Sequence, residues 1–143
     1  MIRLNENILA AELRSCGISP SPQRLSVLAF LKSHAVHPTA DMIMKALKPQ
    51  LPTLSLTTVY NTLKLFVEKK LISEVIIEDG ELRFDADLRP HAHFKCRECE
   101  EVFDLFPKKE ECELIPLPAL PRGFTVDTVH LCLRGRCSAC QSK

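Results

Sequence analysis

The sequence has no long apolar run. No stretch reaches the roughly 18 consecutive apolar residues that a membrane-spanning helix needs, so we expect a soluble protein. The chain opens without a positively charged leader followed by an apolar segment, and we therefore expect no secretory signal and a cytoplasmic location. The sequence also lacks an obvious general-base or nucleophile constellation, which argues against an enzyme.

The net charge is small as well. A formal charge of +1 would not by itself indicate nucleic-acid binding. The two halves differ, however, because residues 1–75 hold 9 Lys and Arg against 5 Asp and Glu, whereas residues 76–143 hold 10 against 13. A basic first half and an acidic second half fit a DNA-binding module followed by a metal-binding module. The alternative is chance scatter of charge over a solvated surface.

Four helices are predicted for the first half. The last three begin at a residue suited to cap a helix, the first ends before Gly17, and apolar residues recur at helical spacing. We expect helices over residues 5–16, from Ser21 to about residue 33 with Leu25, Leu28 and Ala29 buried, from Thr39 to before Pro49, and from Ser55 to about residue 70.

The fourth predicted helix has two chemically different faces. Val59, Leu63, Phe66 and Val67 form an apolar stripe, and a polar face contains Thr57, Tyr60, Asn61 and Lys64. Hydroxyl, amide and amine groups at this spacing suit a helix that lies in a DNA major groove. The alternative is an ordinary solvated helix face.

A β-hairpin is predicted after this helix. Residues 71–77 and 81–85 alternate in the manner of strands, and Asp79-Gly80 between them is a turn signal. Short helices followed by a two-stranded hairpin form the winged-helix arrangement, in which the last helix reads DNA. The first half is therefore predicted to be a winged-helix domain.

The second half is predicted to be a small α/β domain. Residues 92–106 are strand-like, with the C-x-x-C motif at 96–99 as a turn, and residues 107–115 could form a short helix. Residues 124–134 are predicted as one long strand because Val129, Leu131 and Leu133 alternate on one face. Three prolines forbid continuation of the short helix: Pro116, Pro118 and Pro121.

Two C-x-x-C pairs are the strongest chemical signal. Together they supply the four thiolates that zinc prefers in a tetrahedral shell, from Cys96, Cys99, Cys137 and Cys140. Each half of a 143-residue chain has a thin core, which a structural zinc ion would reinforce. A redox-active dithiol and simple buried cysteines are the alternatives. Such a zinc site is coordinatively closed, and hence not catalytic.

A second ligand group surrounds the first C-x-x-C pair. His91 and His93 lie on the same side of a predicted strand because side-chain direction repeats every two residues. Asp85 and Asp104 could add oxygen ligands, and His37 could join them if the two halves fold together. Such a nitrogen and oxygen set suits Fe(II), Mn(II) or Zn(II). Spacing alone favours only the two neighbouring histidines and leaves His37 as an exposed bystander.

The chain resembles the ferric uptake regulator family over nearly its whole length. The motifs that carry the resemblance are SPQR at 21–24, HPTA at 37–40, LTTVYNTL at 56–63, RFD at 83–85, HAHFKCREC at 91–99 and GRCSAC at 135–140. It implies an α+β homodimer that binds inverted-repeat operator DNA, with a winged-helix domain at 1–84, a hinge at 85–90 and a dimerisation and metal-binding domain at 91–143. Arg24, Tyr60 and Asn61 map to positions that the family uses at DNA.

The resemblance also implies two metal sites. Structural zinc would be held by the four cysteines named above, and regulatory Fe(II) or Mn(II) by His37, Asp85, His91, His93 and Asp104. Aspartate at position 104, together with Asp85, resembles the peroxide-sensing branch of the family, since the metal-uptake branches usually carry glutamate at position 104. In that branch bound Fe(II) reacts with hydrogen peroxide, a ligand histidine gains oxygen, here His37 or His91, the metal is lost and the genes are released.

Three alternatives remain open at the level of sequence. The first is an iron, zinc or manganese uptake regulator of the same family without peroxide chemistry. The others are a metalloenzyme and a zinc-stapled interaction module.

Some residues depart from the family pattern. Val129 stands where many members carry a further histidine and His130 is one residue away, so we do not expect a third metal site. The proline run replaces much of a family helix and predicts a smaller dimer interface. Cys16 is predicted to be a small buried residue, and Cys112 and Cys132 have no assigned role.

Overall fold

Four helices and a hairpin precede a small mixed sheet in the computed structural model, which describes residues 5–33, 37–78, 80–108 and 118–142. The chain divides into two compact units, unit 1 at Met1–Leu88 and unit 2 at Arg89–Lys143. The elements are α1 (Glu6–Ser15), α2 (Pro22–Ser33), α3 (Ala40–Leu47), α4 (Leu56–Glu68), β1 (Ser73–Glu78), β2 (Glu81–Asp85), β3 (Ala92–Cys96), β4 (Val102–Leu105), β5 (Cys132–Gly135) and α5 (Ser138–Gln141).

Capping side chains begin the helices of unit 1, at the predicted residues Ser21, Thr39 and Ser55 and also at Asn5. The side chains of Asn5, Thr39 and Ser55 accept hydrogen bonds from backbone N–H groups in the first turns of α1, α3 and α4. Ser21 accepts from the N–H of Arg24 at 3.2 Å at the start of α2. Each cap satisfies a donor that a helix leaves without an internal partner. The four predicted helices are confirmed, with ends that differ by at most two residues.

The core of unit 1 is formed by one apolar face from each helix. Its buried side chains include Leu9, Leu13, Val27, Leu28, Leu31, Ile43, Leu47, Val59, Leu63 and Phe66. Of the residues predicted to be buried in α2, only Leu28 is, because Leu25 and Ala29 are half-buried. Apolar residues surround much of this helix, so periodicity does not fix the buried face. Cys16 is half-buried against the same core, not fully buried.

The predicted hairpin is present. β1 and β2 pair antiparallel from Ser73 with Asp85 to Glu78 with Glu81, and Gly80 in the turn has φ +82°. β1 begins two residues later than predicted, because Leu71 and Ile72 are buried in the helical core instead. Asp79 lies outside the described residues. Helices followed by this hairpin give unit 1 the winged-helix arrangement.

The sheet of unit 2 has the order β4-β3-β5, with β3 antiparallel to β4 and parallel to β5. Phe94 pairs with Leu133 on β5, and its ring lies against Gly135, where a Cβ atom would come within 3.2 Å of the Phe94 Cζ atom. The strands predicted on either side of the 96–99 turn are confirmed. β3 is the central strand and therefore fixes the positions of both neighbours.

The long strand predicted at 124–134 is wrong over most of its length. Only residues 132–135 form β5, whereas residues 118–130 are exposed and lie outside any strand. A strand needs a neighbour to satisfy its backbone groups, and β5 runs parallel to β3 with Cys132 opposite His93, so residues 124–130 lie beyond the start of β3 at Ala92. Alternation predicted which residues share a face, but it could not supply a pairing partner.

Other predictions remain open. The possible helix at 107–115 falls mostly on residues outside the described part of the chain, as do Cys112 and Pro116, and Pro118 and Pro121 are exposed. The domain boundaries and the hinge at 85–90 stay predictions. Among the described residues, no helix is both long enough and apolar enough to cross a membrane.

Candidate functional site

Four cysteines converge in unit 2. Cys96 ends β3, Cys137 caps α5, and the four sulfur atoms of Cys96, Cys99, Cys137 and Cys140 lie within 4.8 Å of one another. The Sγ atoms of Cys99 and Cys137 are 3.8 Å apart. A tetrahedron with metal–sulfur bonds of about 2.3 Å has edges of about 3.8 Å, so this spacing fits zinc.

Backbone contacts hold the two cysteine turns together. In the first turn, Glu100 adopts φ +63° and its N–H donates to the Cys96 carbonyl at 2.9 Å. The N–H of Cys137 donates to the Cys96 sulfur at 3.3 Å, and the guanidinium of Arg136 donates to Glu98 at 3.1 Å. Both contacts connect the two turns directly. No described cysteine forms a disulfide bond.

The thiols of this cluster differ in acidity. Hydrogen bonds from the backbone of Cys99, and then of Cys137, lower the pKa of the Cys96 thiol to about 6. Hydrogen bonding with the Cys137 sulfur, and then burial, raise the pKa of Cys140 to about 12. A thiolate therefore forms more readily at Cys96 than at Cys140, and a metal ion that binds all four sulfurs must displace a proton from Cys140.

A second group in unit 2 combines two imidazoles and a carboxylate. His93 on β3 pairs directly with Asp104 on β4, and its Nε2 atom is 3.5 Å from Asp104 Oδ1. The Nε2 atom of His91 lies 3.7 Å from the same oxygen, and the two imidazole centroids are 4.6 Å apart. Antiparallel pairing thus brings these three donors to one face of the sheet.

A second imidazole–carboxylate pair lies in unit 1. The Nδ1 atom of His37 is 3.5 Å from Asp85 Oδ2, and both side chains are buried. The N–H of Asp87 donates to the other Asp85 oxygen at 2.8 Å. His37 is therefore buried, whereas spacing alone predicted an exposed loop residue without a role.

The backbone of His37 is held in an unusual conformation. Its φ of +45° lies in the left-handed region, which is costly for a residue before proline. The guanidinium of Arg83 donates to the His37 carbonyl at 3.2 Å, and the N–H of Phe84 donates to the Pro38 carbonyl at 3.1 Å. Contacts with β2 thus stabilise the loop that carries this imidazole. Arg83 positions this loop, a role that the RFD motif at 83–85 does not reveal by itself.

The candidate DNA surface lies on α4 and the start of α2. Thr57, Tyr60, Asn61 and Lys64 are all exposed, as the polar face predicted. The guanidinium of Arg24 donates to the Ser19 carbonyl at 2.7 Å, which directs it across the start of α2. A concave polar pocket with a volume of about 390 Å³ lies between the two helices. It is lined by Ser21, Gln23, Arg24, Thr58, Asn61 and Thr62.

Comparisons with known proteins agree on one family. The model of the ferric uptake regulator family matches residues 15–133. The peroxide-responsive repressor PerR of Staphylococcus aureus strain Mu50 is 36% identical over 141 residues, which cover 98% of this chain and 93% of that protein.

Solved structures show the same similarity. The ferric uptake regulator from Pseudomonas aeruginosa with manganese has a TM-score of 0.66 at 26% identity and covers 94% of this chain and 99% of that one. The Campylobacter jejuni peroxide stress regulator has a TM-score of 0.62 at 26% identity, with 94% and 97% covered. Fold, motifs and overall sequence all agree, and this chain belongs to the ferric uptake regulator family.

Proposed function

We propose that this protein is a metal-dependent, peroxide-responsive transcriptional repressor that binds inverted-repeat operator DNA as a homodimer in the cytoplasm. The observation that carries the proposal is the group in which His91 and His93 both face Asp104, with the short carboxylate typical of the peroxide-sensing branch. The 36% identity to a peroxide-responsive repressor supports the same function.

Two metal ions follow from the ligand chemistry. Four thiolates select structural zinc, and we assign it to Cys96, Cys99, Cys137 and Cys140. Imidazoles and carboxylates suit Fe(II) or Mn(II), and we assign this regulatory ion to His37, Asp85, His91, His93 and Asp104. Bound Fe(II) would supply the reaction with hydrogen peroxide that leaves an oxygen atom on His37 or His91.

The chain's own residues convert metal binding into DNA binding through linkage. His37 and Asp85 belong to unit 1, which carries the DNA surface, and the other three ligands belong to unit 2. Ligands drawn from both units favour one arrangement of the dimer over others. If that arrangement alone matches two adjacent half-sites, metal and DNA each tighten the binding of the other, by roughly 1–3 kcal/mol.

A second copy of the chain has a surface to occupy in unit 2. Four large apolar side chains are between 44% and 66% exposed, namely Phe124, Val126, Val129 and Leu133. Exposed apolar side chains on a small domain favour association. It supports the homodimer that an inverted-repeat operator requires.

Operator binding under different metal and peroxide conditions tests the proposal. An operator would first be selected from random-sequence DNA with the zinc-loaded protein and Mn(II). We expect Mn(II) or Fe(II) to tighten binding roughly 5- to 150-fold over the metal-free state, and peroxide to reverse this with Fe(II) but not with Mn(II). Peptide mass spectrometry should then find the mass of one added oxygen on His37 or His91.

Each alternative gives a different result. A metal response without oxygen on either histidine would indicate an uptake regulator. Absence of salt-dependent DNA binding would indicate an interaction module, and steady turnover of a substrate by the metal-loaded protein would indicate an enzyme.

Substitutions on α4 test the DNA surface. Asn61→Ala removes an exposed amide suited to a base edge, and we expect a loss of about 1–3 kcal/mol in operator binding with relaxed specificity. Lys64→Ala should weaken binding to all sequences and reduce the salt dependence by about one phosphate contact. Lys45→Ala, an exposed lysine on α3, is the matched control. Equal effects of Lys64→Ala and Lys45→Ala would contradict the assignment.

A further inference from the structure

One ligand candidate is stacked on an aromatic ring. The rings of His91 and Phe106 have centroids 4.8 Å apart and planes inclined by 29°, a stacked geometry. The guanidinium carbon of Arg89 lies 4.5 Å from the centroid of the same phenyl ring. The phenyl ring thus contacts both an imidazole and a guanidinium within unit 2.

Strand register explains why the rings of His91 and Phe106 stack. β3 and β4 pair His93 with Asp104 and Ala92 with Leu105, so the next opposed positions are His91 and Phe106. Directly opposed side chains on one face of an antiparallel pair are close neighbours, and offset stacking is a favoured contact for aromatic rings. The sheet therefore brings the phenyl ring to the face that carries the ligands.

The stack and a hydrogen bond together restrict rotation of the His91 imidazole. The Nδ1 atom of His91 lies within hydrogen-bond distance of the Arg89 carbonyl, which accepts the Nδ1–H. This leaves Nε2, which lies 3.7 Å from Asp104 Oδ1, as the nitrogen without a hydrogen in the neutral imidazole. Rotation of the ring about its side-chain bonds would break both the carbonyl contact and the stack.

We propose that Phe106 is a positioning residue for the regulatory metal: its ring stacks on His91 and holds the imidazole with Nε2 directed toward Asp104. The proposal rests on the proposed function, because it concerns the same metal site. Phe106 has no atom that could bind a metal ion, so it acts only through His91. Arg89 supports the stack through the contact of its guanidinium with the phenyl ring.

Mn(II) titration of the full-length, zinc-loaded protein tests this inference. Phe106→Leu keeps an apolar side chain but removes the stack, and we expect roughly 10-fold weaker Mn(II) binding, as is typical when a group that orients a metal-binding histidine is lost. Phe106→Tyr retains the ring and should restore wild-type affinity. Phe103→Leu is the matched control, because Phe103 lies on β4 three residues before Phe106 but contacts Phe94, with centroids 6.4 Å apart.

Nuclear magnetic resonance provides a readout that does not depend on bound metal. A phenyl ring stacked on His91 shifts the signals of its imidazole protons upfield through its ring current. In the zinc-loaded protein without Mn(II), Phe106→Leu should remove this shift, whereas Phe106→Tyr and Phe103→Leu should retain it.

The outcomes separate this inference from the proposed function. Wild-type Mn(II) affinity and unchanged imidazole signals in Phe106→Leu would overturn the inference and leave the repressor function intact. Mn(II) binding by the wild-type protein without any change in operator affinity would overturn the proposed function, while the variant affinities would still decide the role of Phe106.

Discussion

Cys96→Ser is expected to release the zinc ion and unfold unit 2 while unit 1 remains folded. Cys96 is fully buried, ends the central strand of the sheet and accepts the N–H of Cys137, so it connects both cysteine turns. Structural zinc contributes on the order of 10 kcal/mol to the folding of small zinc domains, more than a thin core can replace. Zinc content and thermal unfolding followed by circular dichroism measure the two effects.

Cys16→Ser is the control for this prediction. Cys16 is a half-buried thiol at the end of α1 in unit 1, outside the cluster. We expect it to retain one zinc ion per chain and to unfold in unit 2 as the wild-type protein does. A Cys96→Ser protein with full zinc content and an intact unit 2 would refute the structural assignment.

His37→Ala is expected to abolish the metal-dependent part of operator binding. His37 is paired with Asp85 in unit 1. Its loss removes the imidazole ligand that we propose in unit 1, the unit that carries the candidate DNA surface. The 5- to 150-fold response to Mn(II) should fall to no response, because the ion then has no differential affinity for the two states. Zinc content should be unchanged, and fluorescence anisotropy of a labelled operator measures the response.

Backbone strain requires a second variant. His37 has φ +45°, and alanine tolerates the left-handed region poorly, so His37→Ala could act by distorting the loop. His37→Asn removes the imidazole but suits this backbone conformation, and we expect the same loss of response. His130→Ala, an exposed histidine in unit 2, is the control and should respond as the wild-type protein does. A Mn(II) response retained in His37→Asn would show that the loop and not the ligand matters.

Local signals predicted the helices and the hairpin well. Asn5, Thr39 and Ser55 cap the helices that they were expected to begin, and β2 spans Glu81–Asp85 as predicted. These features depend on residues within one or two turns of the chain, which a sequence displays directly. The convergence of the two cysteine pairs was equally predictable, since C-x-x-C spacing is itself a local feature of metal-binding turns.

Long-range contacts were not predictable in this way. The sequence left His37 as a possible bystander, because its contacts with Asp85 and with Arg83, which is 46 residues away, are long-range. The length of β5 depended on where its partner strand β3 begins, and the buried face of α2 depended on which helices pack against it. Phe106 stacks on His91 through a strand register that no single segment reveals. The roles assigned to the metal and DNA residues remain predictions.

The parallel pairing of β3 with β5 has a consequence for the order of folding. Unit 1 closes its hairpin between near neighbours, whereas the Cys96–Cys137 contact in unit 2 joins residues 41 positions apart. Contacts between distant residues form slowly, because the loop-closure entropy is lost before the contact stabilises the chain. We therefore expect the hairpin of unit 1 to form before the sheet of unit 2. If zinc binds the four cysteines, it would stabilise this 41-residue closure, and in a cell short of zinc the fraction of chains with a folded unit 2 would fall.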